Sequence, residues 1–395
     1  MPKDDLNYKF TENGIVYDFY DVFVPAENFR QPALWVWGEN NDYPALGVND
    51  ITADRITPVT TFAGGTTWKQ VSSGGSHTAA IKTDGSLWVW GDGGVGRLGT
   101  NDTTSRSTPV TTFAGGNNWK FVSAGGGHTL AIKTDGTLWG WGVQDSGRIG
   151  NGEQFGSVNV PVTTFAGGNN WKSAYAGNPS VAIKTDGSLW VWGSNNVAQL
   201  GINVGGGNRV TPVTTFAGGN DWKQVSSEGH VVAIKTDGSL WTWGFGTSGQ
   251  LGNNAAGNRS TPVTTFAGGN NWKSVSAGDQ FTSAIKTDGS LWTWGKNDNS
   301  QLGNFADTNR STPVTTFAGG NNWKQVSGGS GFAAAIKTDG TLWTWGSTFD
   351  GRLGNNTSGF GSRNTPVTTF AGGNNWKQVS SGSRHSAAIK YVPDP

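Results

Sequence analysis

Residues 80–91 run Ala-Ile-Lys-Thr-Asp-Gly-Ser-Leu-Trp-Val-Trp-Gly, two apolar runs joined by the pair Asp84-Gly85. Asp-Gly between strand-like residues is a strong hairpin signal, because a two-residue turn needs φ > 0 at both central positions. Trp88 and Trp90 stand two residues apart, so both project from one face of a strand, while Leu87 and Val89 project from the other. Both faces are then apolar, which suits a strand buried between neighbouring sheets. The upstream segment Trp68-Lys69-Gln70-Val71-Ser72 alternates with period 2 and predicts a third strand, and Val59-Thr60-Thr61-Phe62 predicts a fourth.

The pattern recurs along the chain. Leu-Trp-x-Trp-Gly begins at Leu34, Leu87, Leu138, Leu189, Leu240, Leu291 and Leu342. Thr-Pro-Val-Thr-Thr-Phe returns with its proline at Pro58, Pro109, Pro212, Pro262, Pro313 and Pro366, and Val160-Pro161 supplies a seventh copy. A Trp-Lys pair follows each proline, so seven single and seven paired tryptophans account for all 21 in the 395 residues. The tryptophans are therefore architectural. All-β units of 50 to 53 residues indicate radial repetition, a β-propeller of seven blades. The chain ends argue for a closed ring over a linear solenoid. Ala33-Leu34-Trp35 arrives without a preceding Trp-Lys strand, and Trp376 through Lys390 stops short of its Leu-Trp pair. The two halves complete one shared blade and hide the sheet edges that a solenoid leaves open. The expected architecture is an all-β, seven-bladed propeller over residues 32–395, closed by pairing of N- and C-terminal strands, preceded by an aromatic segment over residues 1–31.

Composition excludes several function classes. The net charge is +1 with only 14% charged residues, so no basic excess exists to neutralise a nucleic-acid backbone. Cysteine is absent, which removes disulfides and thiolate metal sites. No apolar run approaches the ~20 residues needed to span a bilayer, so no membrane insertion is expected. The opening Met-Pro-Lys-Asp-Asp has no apolar core of a secretory signal. His77, His128, His230 and His385 share one repeat column, filled by Pro179, Phe281 and Phe332 in other blades. Positions spread around a ring cannot converge on one ion, so each histidine is expected to bond within its own blade. No carboxylate pair, nucleophile elbow or phosphate loop stands outside the repeat. No cofactor, metal or catalytic residue is expected, and the chain is read as non-enzymatic.

Trp-Lys-x-Val-Ser-x-Gly, then His-Thr-x-Ala-Ile-Lys-Thr-Asp-Gly-x-Leu-Trp-x-Trp-Gly, then Gln/Arg-Leu-Gly resembles the regulator of chromosome condensation repeat. The likeness is to its bacterial and viral forms more than the eukaryotic one, and covers about residues 32–390. It implies a seven-bladed propeller that serves as an interaction platform. The even repeat spacing leaves no room for the protruding wedge that the resemblance associates with guanine-nucleotide exchange.

Columns shared by all blades serve the blade, so functional residues are sought where the repeats differ. Tyr43, Phe155, Phe245, Phe305, Phe349 and Phe360 are off-pattern aromatics on loops, candidates for protein anchors or sugar platforms. Arg55, Arg106, Arg209, Arg259, Arg310 and Arg363 each stand three residues before a repeat proline. They predict either a cationic ring or arginines stacked on tryptophan or bonded to loop carbonyls. The sector over residues 140–182 departs most from the repeat, at Gly140, Val158, Val160, Ala174, Tyr175 and Pro179, and is a candidate partner-facing region. Residues 1–31 carry Tyr8, Phe10, Tyr17, Phe19, Tyr20, Phe23 and Phe29, with three basic and six acidic residues. Asn13-Gly14 predicts a hairpin there, and so aromatic a segment is expected to anchor on the ring or on another subunit. The stretch Val16-Tyr17-Asp18-Phe19-Tyr20-Asp21-Val22-Phe23-Val24-Pro25 is similar to openings of phage propeller proteins. The expected function is therefore a structural or binding protein of a bacteriophage virion (a tail, fibre or capsid-surface component). It would present a rigid propeller to other virion proteins or to a cell-surface receptor or glycan. The alternatives are a carbohydrate-binding lectin or a nucleotide-exchange regulator in the cytoplasm.

Overall fold

The computed structural model describes residues 9–12, 15–18 and 30–393. Seven four-stranded antiparallel sheets form the ring, each a simple meander. The first blade comprises Trp68–Ser73, His77–Lys82, Leu87–Gly91 and Arg106–Thr111. The second to seventh blades start at Trp119, Trp171, Trp222, Trp272, Trp323 and Trp376. First strands of successive blades pack side by side and line a central channel of about 330 Å3. The seventh blade is the shared one: Trp376–Ser381 and His385–Pro393 come from the C-terminus, Arg30–Gly38 and Arg55–Thr60 from the N-terminus. Its closing ladder runs for nine pairs, from Arg30↔Pro393 to Gly38↔His385. In the first blade the equivalent ladder has five, because a tight turn ends it. A separate hairpin, Lys9–Glu12 with Ile15–Asp18, pairs Phe10 with Tyr17 on either side of positions 13–14.

The repeated Asp-Gly turn differs from the two-residue form expected. Gly85 is left-handed at φ +84, whereas Asp84 is not. The Gly85 N–H donates to the Lys82 carbonyl and the Lys82 N–H to the Ser86 carbonyl, each at 3.0 Å. This is a three-residue connection ending in a glycine bulge. Asp84 stays in an ordinary conformation because its carboxylate accepts the Ser86 N–H and hydroxyl at 2.9 and 2.7 Å. A Cβ on Gly85 would lie 2.1 Å from the Asn117 carbonyl oxygen, so the turn also seats the next blade.

The core consists of seven interblade clusters, one at each junction. At the first, Ile81, Leu87, Val89 and Leu98 of one blade meet Trp119, Val122 and Trp141 of the next. The tryptophan face of each third strand thus packs on the leucine face of the blade before it. Within a blade the single tryptophan meets both paired ones edge-on, as Trp68 does with Trp88 and Trp90 at 6.4 and 6.2 Å. The indole of the second paired tryptophan donates across the junction to the carbonyl of the Arg/Gln-Leu-Gly motif in five cases, for example Trp141 Nε1 to Arg97 O at 2.9 Å.

The divergent second blade shows how tightly these clusters are filled. The first blade uses Ala79, Val89 and Leu98 where the second has Leu130, Gly140 and Ile149. A Cβ on Gly140 would sit 3.1 Å from Leu130 Cδ2 and 3.2 Å from Ile149 Cγ2. The larger neighbours explain the glycine. Gly140→Val should therefore destabilise the ring by about 1–3 kcal/mol in urea unfolding, and adding Leu130→Ala should restore at least half of that loss. Simple additivity of the two losses would show that the volumes are uncoupled.

Candidate functional site

Connections between first and second strands, and between third and fourth, leave the same end of every sheet; we call this the loop face. Thr-Asp-Gly turns and Phe-Ala-Gly-Gly connections leave the other end, the turn face. All six off-pattern aromatics fall on loops between third and fourth strands, so the variation in the repeat gathers on connections that start from one face.

The structure brings two of the six together. Phe349 and Phe360 lie 5.1 Å apart between ring centres, tilted by 41°. With Asp298, Asn299, Ser347, Arg352 and Ser362 they line an open cleft of about 450 Å3 between the fifth and sixth blades. Phe360 is 97% exposed. Beneath it Arg352 is fixed: its guanidinium lies 5.5 Å from the Phe349 ring, pairs with Asp350 at 3.1 Å, and donates to Ser330 O at 3.1 Å and Ser383 O at 3.3 Å. Burial lowers the Arg352 pKa and raises that of Asp350, each partly offset by the other. Beyond it, Glu39 pairs with Arg384 at 2.7 Å. The cleft offers apolar rings above a buried, neutralised ion pair, with Asp298 as the exposed carboxylate at its edge.

The other aromatics stand apart. Tyr43 and Phe155 are exposed on the seventh and second blades, and Phe245 is half-buried. Phe305 sits at the rim against Phe317, 5.2 Å away. It is left-handed at φ +63, in a column where Asn49, Asn101, Asn203, Asn254 and Asn356 adopt the same conformation. Asparagine tolerates this region and phenylalanine does not. Phe305→Asn should therefore hold or raise the urea midpoint; a loss above about 1 kcal/mol would show the ring contact outweighing backbone strain.

The arginine column resolves unevenly. Arg55 pairs with Asp50 at 2.5 Å and Arg106 with Asp102 at 2.6 Å. The Thr52 hydroxyl and N–H, with Arg55, hold the Asp50 carboxyl down at about 2. Arg209 donates to loop carbonyls. Arg259, Arg310 and Arg363 are exposed and have no ion-pair partner among the described residues. None of the six lies over an indole. Lysine takes that role: Lys82 Nζ sits 4.9 Å from Trp68 and 4.3 Å from Trp88, and every blade repeats the pair. Of the N-terminal anchor residues, Phe10 and Tyr17 are placed only as a cross-strand pair, and Tyr8, Phe19, Tyr20, Phe23 and Phe29 lie outside the described residues.

The histidines bond across junctions instead of within their blades. His77, His128, His230 and His385 Nε2 meet Thr129, Ser180, Thr282 and Thr78 hydroxyls of the following blade at 2.7–2.9 Å. Each hydroxyl donates onward to a backbone carbonyl, so Nε2 carries the proton in His77, His128 and His385; His230 in addition has its Nδ1 3.2 Å from the Glu228 carbonyl oxygen. The signal was present in the alternation of histidine with a hydroxyl one repeat later, but only blade contact reveals it. Burial holds His128 down to about 3 and His230 and His385 to about 4. The folded state then binds fewer protons than the unfolded chain below the ordinary value of about 6.5. Stability is complete above that pH and falls as pH drops toward 4. His230→Phe, imitating Phe281 and Phe332, should cost no more than about 1.5 kcal/mol at neutral pH and flatten the decline below 6.5. An unchanged slope would assign it to other groups.

Two further interblade columns surround the channel. Gln70 clasps Val122 of the next blade through both its amide atoms, at 3.0 and 3.1 Å. Ser72 Oγ accepts the Ala124 N–H at 2.9 Å, and six of seven junctions repeat that bond. The sector over residues 140–182 breaks these columns. Tyr175 replaces the serine and meets Phe121 edge-on at 6.0 Å on the channel wall. Ser227 Oγ compensates by donating to Pro179 O at 2.8 Å, and Gly229 N–H to Asn178 O at 2.9 Å. These departures serve the axis and the next blade.

The ring and its column order define the class. The RCC1-like domain model matches residues 29–314 and 88–392, and the chain belongs to that family. Ultraviolet-B receptor UVR8 of Arabidopsis thaliana is 34% identical over 226 residues, 55% of this chain and 50% of that protein. The E3 ubiquitin-protein ligase HERC2 of Homo sapiens is 27% identical over 377 residues, 90% of this chain but 8% of that protein. The chain thus spans half or less of these two relatives. Among solved structures, Prp20p of Saccharomyces cerevisiae superposes with a TM-score of 0.78 at 18% identity, covering 93% of this chain and 95% of that one, and shows the shared fold.

Proposed function

We propose that this protein is a binding propeller whose loop face takes a protein partner, anchored in the cleft between Phe349 and Phe360. The carrying observation is the tilted phenylalanine pair, a fully exposed Phe360 against a half-buried Phe349, on a frame held by the Arg352–Asp350 ion pair. Exposed aromatics on a rigid support suit the centre of a protein interface. At the cleft's edge the exposed Asp298 carboxylate is paired with Lys296 at 3.5 Å, so the rim offers both charges and suits a partner with a polar group beside an apolar one. Prp20p, described by its binding to Gsp1p and histones, is a protein binder on the same fold. The sequence gives the exchange-factor alternative no inserted wedge, and a lectin would have to use the same rings without a polar sugar clamp around them.

For the setting, a phage particle with residues 1–31 as anchor remains our reading from the sequence; it rests on that acidic, aromatic segment. None of the relatives named above is a virion protein. Detection of the chain in purified particles by mass spectrometry supports this setting, and a free cytoplasmic protein opposes it.

The cleft itself is tested by substitution. Phe349→Ala with Phe360→Ala should abolish capture of the partner relative to the unchanged ring in the same extract. Melting should shift by no more than about 2–4 °C, the change expected for about 1 kcal/mol in a chain of this size or somewhat smaller. Undiminished capture would move the binding function away from this face.

A further inference from the structure

Seven phenylalanines that the sequence placed in a fourth strand are instead exposed. The outer strand ends at Thr60, Thr61 is buried, and Phe62 opens the following turn. Phe62, Phe113, Phe165, Phe216, Phe266, Phe317 and Phe370 are 62–73% exposed. They are held there firmly. In every blade the single tryptophan's Nε1 donates to the glycine two residues beyond the phenylalanine, at 2.8–3.1 Å. The Phe62 N–H is itself bonded to Gly47 O at 2.9 Å. A buried indole thus presents each exposed ring.

The same end of the sheets carries an inner circle of Trp-Lys lysines, exposed in six blades and half-buried at Lys120. With the strand-end lysines that face indoles, fourteen lysines stand on the turn face against seven aspartates. The loop-face residues carry eleven basic against thirteen acidic side chains. The ring is electrically two-sided although the chain as a whole is nearly neutral.

We propose that the turn face docks on an anionic membrane surface, its lysines against the headgroups and its phenylalanines in the boundary below them. The pairing of cations with protruding apolar rings on one face matches the two components of such a surface. Sevenfold repetition argues for a partner that is uniform in its plane, since a folded protein would meet only part of the ring. The excess positive charge opposes a second copy of the same face. This docking is peripheral and independent of the loop-face cleft.

The test is co-sedimentation of the full chain with phosphatidylcholine vesicles, with and without about 30% phosphatidylserine. Binding should be at least about tenfold stronger with the anionic lipid, and should weaken at least about tenfold between about 0.1 and 0.5 M salt. Phe113→Ala, Phe216→Ala and Phe266→Ala together should reduce binding about tenfold with melting unchanged. Lys172→Gln, Lys223→Gln and Lys273→Gln should remove most of the lipid-charge preference. Equal binding to neutral vesicles, or binding indifferent to both variant sets, overturns the proposal. Equally strong binding to a short DNA duplex assigns the face to nucleic acid and overturns it too. Vesicle binding that emerges only after removal of residues 1–29 assigns the face to the chain's own acidic segment, with the same consequence.

Discussion

Every blade depends on its neighbour through one asymmetric contact, the tryptophan face of one third strand against the leucine face of the preceding blade. Neither face could meet water cheaply, since the second indole of each pair, the single indole beside it and the Leu/Val side are all buried. A blade with two apolar faces is stable only between two others, and a row of them is complete only when it closes. The nine-pair ladder between Arg30–Gly38 and His385–Pro393 supplies that closure, and it buries what would otherwise be one naked indole face and one naked leucine face.

Polar bonds refine the seven junctions unequally. Four kinds cross them: the glutamine clasp, the serine acceptor, the histidine–hydroxyl link and the indole–carbonyl bond. The junction between the third and fourth blades lacks all four among the described residues, because Ser173, Tyr175 and Pro179 occupy the donor and acceptor columns and Trp243 Nε1 has no partner. It is also the largest apolar cluster, with Val181, Val191, Leu200, Val225, Val231 and Trp243. Packing and two other bonds, Ser227 Oγ to Pro179 O and Gly229 N–H to Asn178 O, stand in for the four repeated ones here; the apolar contact is common to all seven junctions, while the polar bonds that fix register vary.

The blade count, strand order and shared seventh blade were legible because they rest on periodicity and on which strands the chain ends omit. The local turn was legible in place but not in type: Asp84 prefers to bond Ser86 with its carboxylate, and that choice shifts the connection to three residues. Histidine partners were illegible, since Thr129 lies 52 residues from His77 and only the ring juxtaposes them. Lysine over indole was equally hidden, because Lys82 and Trp68 belong to different strands. The exposed phenylalanines were misread for a simpler reason. Pro-Val-Thr-Thr-Phe looks like a continuous strand until the buried Thr61 shows where alternation places the ring.

Tryptophan spacing and complementary chain ends, by themselves, determined that this protein is a closed seven-bladed ring, because burial of two-sided strands leaves no other arrangement. The sequence also determined that variation lies on loops between third and fourth strands. Which of those aromatics cooperate was settled only by the fold. Phe349 and Phe360 converge because a short 3-10 turn over Phe349–Gly351 and the return from Gly359 bring the two ends of one loop together over Arg352. The separation of charge between the two ends of the sheets was likewise invisible in a net charge of +1. Strand direction sorts fourteen lysines to one end against seven aspartates and leaves the other end nearly balanced, and direction becomes position only when the strands are assembled.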